Sequence, residues 1–195
     1  MGLYPLEIDS YKPGQIWINL NKYKQETRTM SGNTYTYCPH CAASLVEKHI
    51  YNALRSTCPA CGFIYFLDPK VVTVVVVQHA GKLLLGRRNI DPGKGLWSFV
   101  SGYVDRGEKV EEAAMREVKE ETNLDVQLDN LLGIYSENGN PHVVIAYRAS
   151  VVNDDVSEMA GQPDEVSELA FFTREEMPDL AFPMDRQILQ DWYKL

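Results

Sequence analysis

Between Gly102 and Leu124 the chain reads Gly-Tyr-Val-Asp-Arg-Gly-Glu-Lys-Val-Glu-Glu-Ala-Ala-Met-Arg-Glu-Val-Lys-Glu-Glu-Thr-Asn-Leu. On a helix, Glu121 lies four residues beyond Glu117 and Glu120 three, so their three carboxylates share one edge. Such an edge repels itself and weakens an isolated helix. It becomes favourable around a hard divalent cation, because Mg²⁺ and Mn²⁺ prefer oxygen ligands. Arg116 reaches Glu120 at i+4, or Glu108 ahead of the helix, where a guanidinium–carboxylate fork would brace the intervening loop. Gly102 and Gly107 let that loop turn sharply and bring backbone carbonyls near a metal. A run of Glu, Lys and Arg is more commonly a solvated face; here the whole pattern, not the glutamates alone, argues for a metal site.

A second set of residues has metal chemistry of another kind. All four cysteines fall into Cys38-Pro-His-Cys41 and Cys58-Pro-Ala-Cys61, separated by residues 42–57. That spacing suits a four-thiolate zinc site, in which two tight turns close a tetrahedron. Four cysteines leave no open position, so this Zn²⁺ is expected to be structural, and His40 a bystander. A module of ~35 residues cannot build a core alone, and metal would supply the missing folding energy.

These residues need elements to position them. Residues 70–78 are apolar and largely β-branched, and 82–87 form a second strand after a turn at Gly81. Residues 110–122 carry Val110, Ala113, Ala114 and Val118 at helical spacing. Strands are expected at 143–152 and 168–172, a turn at 175–177 and a closing helix at 185–193. The fold class is α+β, a mixed sheet with helices packed on it. The expected organisation is an N-terminal extension at 1–33, a zinc ribbon at 34–67 and a larger domain at 68–195.

Bulk composition bounds the partners. The 195 residues are 45% hydrophobic and 24% charged, ordinary for a globular chain. With 19 basic against 27 acidic residues, the net charge of −8 repels phosphate backbones. Residues 42–57 add only Lys48, His49 and Arg55 against Glu47, so nucleic acid is not an expected partner. No segment is long enough to span a membrane and no export signal is visible, so the expected compartment is the cytoplasm.

The stretch at 102–124 resembles the Nudix box, Gly-x5-Glu-x7-Arg-Glu-hydrophobic-x-Glu-Glu-x-Gly-hydrophobic. Gly102, Glu108, Arg116, Glu117, Val118, Glu120, Glu121 and Leu124 fall in register, and Asn123 replaces the late glycine. Asn is the next best residue for a left-handed helix cap. The resemblance covers about residue 68 to the C-terminus and implies a Nudix fold behind the zinc ribbon. It further implies that Glu117, Glu120 and Glu121 ligate or orient Mg²⁺ or Mn²⁺, with the Ser101 carbonyl completing the site. Gly102, Glu108 and Arg116 would form the structural brace. Glu121 is the favoured shared ligand or base, although the box alone does not assign a base. In relatives acting on ADP-ribose a loop glutamate assists metal or water, and Glu165 stands in such a loop; the alternative is an exposed acidic turn.

A ribbon ahead of this box resembles the NADH pyrophosphatase branch and its shorter relatives. That branch carries a Ser-Gln-Pro-Trp-Pro-Phe-Pro stretch, of which Ala181-Phe182-Pro183 is only a faint echo. The resemblance therefore favours ADP-ribose or a nucleoside diphosphate sugar, then FAD and NADH. A nucleoside triphosphate pyrophosphatase and a non-catalytic ADP-ribose sensor are the alternatives. Arg87 and Arg88 are candidate phosphate ligands, or surface ion-pair partners. Tyr135 and Phe182 are candidates to stack on a base, or core residues. Family resemblance also implies a homodimer.

Overall fold

A computed structural model describes residues 35–194, so the expected extension at 1–33 lies outside the described residues. The chain divides into two compact units, the division falling between Leu67 and Asp68. In the first, β1 (Val46–Ile50) and β2 (Ala53–Thr57) form an antiparallel hairpin. Tyr51 and Asn52 turn it with positive φ at both residues, the geometry that matches strand twist. Each cysteine pair closes a turn of the same form. Ala42 N–H donates to the Cys38 carbonyl at 2.8 Å and Gly62 N–H to that of Cys58 at 3.0 Å. Both Ala42 and Gly62 take a positive φ there.

The second unit contains β3 (Lys70–His79), β4 (Lys82–Arg88), β5 (Trp97–Ser98), β6 (Val100–Tyr103), α1 (Val110–Thr122), β7 (Val126–Tyr135), β8 (His142–Val151), β9 (Val166–Phe172) and α2 (Pro183–Trp192). The sheet order is β5-β4-β3-β8-β7, with β6 also on β3 and β9 on β4. β3 and β8 run parallel, and the other pairs are antiparallel. The mixed α+β architecture agrees with the sequence.

β3 reads as a continuous apolar run because both its faces are covered. Val74 and Val76 pack with Leu85, Phe99 and Ile188 of α2. Val75 and Val77 pack with Ala114 and Val118 of α1. Alternation along one strand thus separates the two helices, and α1 is held by its small residues Ala113 and Ala114 against the sheet.

α1 spans the residues its periodicity predicts. Asn123 ends it in the left-handed conformation, φ 58°, with its N–H on the Lys119 carbonyl. β7 is the longest of the strands that sequence patterning misses, the others being β1, β2, β5 and β6. It is an edge strand whose register shifts between Leu128 and Asn130 and again between Leu131 and Gly133. Each shift breaks the period-two alternation that identifies a half-buried strand. Among the described residues no helix is long and apolar enough to cross a membrane.

Asp185, in the first turn of α2, is buried and one of its carboxylate oxygens has no hydrogen-bond partner. Burial pushes its carboxyl up to about 7, against the opposing Phe182 N–H and Arg88 charge. An acid raised in the folded state contributes its full stability below the unfolded value of ~3.9 and loses it as pH climbs through about 7. That span corresponds to at most about 4 kcal/mol. Asp185→Asn is therefore expected to match the parent's melting temperature at pH 4 and exceed it at pH 8, as read by thermal melts. A difference between the two curves that does not grow with pH would contradict this.

Candidate active site

The helix stripe that buries Ala114 and Val118 also carries Glu117 and Glu121 inward. Gly102 of β6 lies beneath them, and a Cβ there would overlap the Glu117 carboxylate. This glycine is required by close approach, not by its backbone angles. Gly102→Ala must displace Glu117, so it is expected to lower turnover by about 100-fold and weaken Mn²⁺ binding with little loss of fold. Steady-state kinetics with a Mn²⁺ titration checks this.

Arg116 organises the outer side. Its Nε and one terminal nitrogen form a fork on Glu108, at 2.8 and 2.9 Å. The same terminal nitrogen donates to the Tyr103 carbonyl at 3.2 Å, and the other to Glu117 at 2.7 Å and Glu120 at 3.1 Å. Both pairings open in the sequence, to Glu108 and to Glu120, are therefore made. Glu108 also accepts the Asp105 N–H at 3.0 Å. Arg116, with that amide, holds the Glu108 carboxyl down to about 2.

The inner side is short of positive charge. Glu121 accepts the Ser101 backbone N–H, yet burial, then the charges of Glu117 and Glu165, push its carboxyl up to about 8. Burial likewise raises Glu117, against the pull of Arg116. Glu165 is brought here by a loop tied down at five points. Asn123 Nδ2 donates to the Glu158 carbonyl at 2.9 Å, Ala160 N–H to Thr122 at 3.0 Å and Gln162 N–H to Glu121 at 3.3 Å. Asn89 N–H holds the Glu165 carbonyl at 2.7 Å, and its side chain holds that of Pro163 at 2.8 Å. Asn89 is a residue that sequence reasoning passed over. Its role is to satisfy backbone groups 74 and more residues away, which no local pattern announces.

Four carboxylates crowded together, Glu121 buried among them, fit a hard divalent cation, whose charge would relieve the repulsion. Their oxygens are not yet converged, because Arg116 draws Glu117 and Glu120 outward. The cysteines differ. They form the tight ligand set among the described residues, all four sulfurs lying within 4.8 Å of one another. Cys38–Cys61 and Cys41–Cys58 are 3.6 and 3.5 Å apart, far beyond a disulfide. Those spacings match the ~3.8 Å edge of a tetrahedron with Zn–S near 2.3 Å. The Cys61 N–H on its sulfur at 3.5 Å holds the Cys58 thiol down to about 6. Against the Phe63 N–H, the Cys58 sulfur pushes the Cys61 thiol up to about 12, so the sulfurs share protons that a metal would displace.

The remaining candidates separate. Arg87 is spent on the surface, donating to the Gly95 carbonyl at 3.0 Å and pairing with Glu168 at 3.5 Å. Arg88 is fixed by Nε on the Pro92 carbonyl at 2.8 Å and by stacking 4.9 Å over the Phe182 ring. Its charge reaches Glu121. Phe182 thus has one face given to Arg88. Tyr135, a candidate to stack on a base, is instead a core residue, 6% exposed, with its hydroxyl on Asp191 at 3.2 Å.

Comparison with known proteins identifies the family. The NUDIX domain model matches residues 67–192. The ADP-ribose pyrophosphatase of Methanocaldococcus jannaschii is 35% identical, over 66% of this chain and 76% of its own. The NAD-capped RNA hydrolase NudC of Stutzerimonas stutzeri is 24% identical, over 91% of this chain and 67% of its own. A Nudix hydrolase from Nitrosomonas europaea superposes with a TM-score of 0.76 at 26% identity, covering 82% of this chain and 91% of that one. With the family match spanning well over half the chain and the carboxylate helix inside it, the chain belongs to the Nudix family and is a Nudix hydrolase.

Proposed function

We propose that the chain hydrolyses the diphosphate bond of ADP-ribose or a related nucleoside diphosphate sugar, using Mg²⁺ or Mn²⁺. The observation that carries this is the tethered loop that sets Glu165 beside Glu117 and Glu121, adding a fourth carboxylate to the three of the helix. The archaeal relative named ADP-ribose pyrophosphatase supports the choice of substrate.

In this reading Glu117, Glu120, Glu121 and the Ser101 carbonyl hold the cation. When bound, it neutralises non-bridging phosphate oxygens and makes water nucleophilic. Arg88, whose terminal nitrogens have no hydrogen-bond partner among the described residues, binds a phosphate oxygen while Phe182 and Pro92 keep it from swinging away. Glu121 and Glu165 are the two carboxylates placed to accept the proton of the attacking water. Gly102, Glu108 and Arg116 keep the loop and helix in register. The products are two phosphate monoesters, AMP and ribose 5-phosphate from ADP-ribose. Cys38, Cys41, Cys58 and Cys61 hold a structural Zn²⁺ in a ribbon at 34–67, ahead of the catalytic domain at 68–195 and behind an extension at 1–33. The enzyme acts in the cytoplasm as a homodimer.

A panel of ADP-ribose, nucleoside diphosphate sugars, FAD, NADH, NAD-capped RNA and dNTPs with Mg²⁺ or Mn²⁺ tests the reading. The highest kcat/KM is expected with ADP-ribose or a nucleoside diphosphate sugar. Pyrophosphate release from dNTPs alone would favour a triphosphate pyrophosphatase, and binding without turnover a sensor.

A further inference from the structure

Thr73 lies in the middle of an apolar strand, is fully buried, and its hydroxyl has no hydrogen-bond partner. A buried hydroxyl without a partner is costly and calls for an explanation. Valine, of nearly the same shape, occupies the next four positions of β3, Val74 to Val77, so packing alone does not demand threonine here.

Register places this hydroxyl. Thr73 is the cross-strand partner of Gly102 on β6, and the side chains of such a pair point to the same face, with Cβ atoms ~5 Å apart. That face is the one turned to α1, since Val75 and Val77 pack against Ala114 and Val118. Gly102 has no side chain, and the Glu117 carboxylate occupies the space its Cβ would fill. The unpartnered hydroxyl therefore lies one cross-strand step from the Glu117 carboxylate, both of whose oxygens reach the Gly102 position while Arg116 holds Oε1.

We propose that Thr73 is a positioning residue for Glu117, donating its hydroxyl hydrogen to that carboxylate when the carboxylate engages the divalent cation. The inference rests on the proposed role of Glu117 as a cation ligand. A buried neutral donor suits this role, because it fixes the carboxylate's rotation without competing for the cation as another acid would. It also accounts for a polar side chain inside the valine run from Val71 to Val77.

The test measures Mn²⁺ binding to the full, zinc-loaded chain by the electron paramagnetic resonance signal of free Mn²⁺, without substrate. Thr73→Val is expected to weaken Mn²⁺ binding about 10-fold, with a melting temperature no lower than the parent's. Thr73→Ser, which keeps the hydroxyl, is expected to bind within about twofold of the parent, and Glu117→Gln to bind far more weakly than either. Parent-like affinity in Thr73→Val beside a loss in Glu117→Gln overturns the role of Thr73 alone. Parent-like affinity in both overturns it together with the cation site. Equal weakening in the Val and Ser variants overturns it as well, because methyl packing rather than the hydroxyl would then be responsible.

Discussion

Glu121→Gln is expected to lower kcat by about 10³-fold on the preferred diphosphate and to weaken Mn²⁺ binding, while the metal-free protein melts no lower than the parent. The substitution preserves shape, and the amide oxygen of Gln can still accept the Ser101 N–H. What it removes is the charge, in a position where burial and the neighbouring Glu117 and Glu165 make charge unfavourable without a cation. The sign for stability follows directly. An acid held up at about 8 contributes its stability below the unfolded value of ~4.3 and loses it as pH rises through about 8. Metal-free parent protein is thus expected to lose melting temperature between pH 5 and pH 8, with the loss reversed by Mn²⁺. Glu121→Gln should flatten the metal-free curve and abolish the Mn²⁺ response together. Glu165→Gln, acting from a loop, should cost less, about 10- to 100-fold. Full activity in Glu121→Gln would refute the assignment of this residue to the cation.

How far the site was legible in the sequence depends on the range of each interaction. Everything that α1 decides by its own geometry could be read from spacing, including the shared edge of Glu117, Glu120 and Glu121. Asn123 could be read as a cap, but its side chain also fastens the Glu158 loop, a contact 35 residues away. Glu165 was readable only as a candidate, because its approach depends on the backbone groups that Asn89 satisfies. Arg87 and Arg88 look equivalent in sequence, yet the β4–β9 register shifts between them. That irregularity sends one to a surface pair with Glu168 and leaves the other clamped over Phe182. Tyr135 ends a strand whose two register shifts hide it from patterning, so its place in the core could not be assigned either. The carboxylate helix is a local object; the walls of the site come from pairing across the sheet.

Cys58→Ser is expected to abolish tight zinc binding and unfold residues 35–67 while β3 to α2 keep their structure. Four described residues of the first unit are buried: Cys38, Ser56, Thr57 and Cys58. Seven of its large apolar side chains, Tyr35, Tyr37, Val46, Tyr51, Leu54, Phe66 and Leu67, are exposed, and Leu45, Ile50, Phe63, Ile64 and Tyr65 are only half-buried. A hairpin of two five-residue strands is marginal in water by itself. The sulfur cluster is thus the nearest thing to a core that the unit has, and a structural Zn²⁺ contributes on the order of 10 kcal/mol at neutral pH. Removing one thiolate takes away a ligand and the sulfur that receives the Cys61 amide. Hydrogen exchange separates this from general damage. Amides of β1 and β2 should exchange freely in Cys58→Ser, or in parent protein stripped by a strong chelator, whereas those of β3 and α1 stay protected. Parent protein purified without chelator should carry one zinc per chain. Protected β1 and β2 amides in zinc-free protein would show that the hairpin folds on its own and that the cysteines serve another purpose.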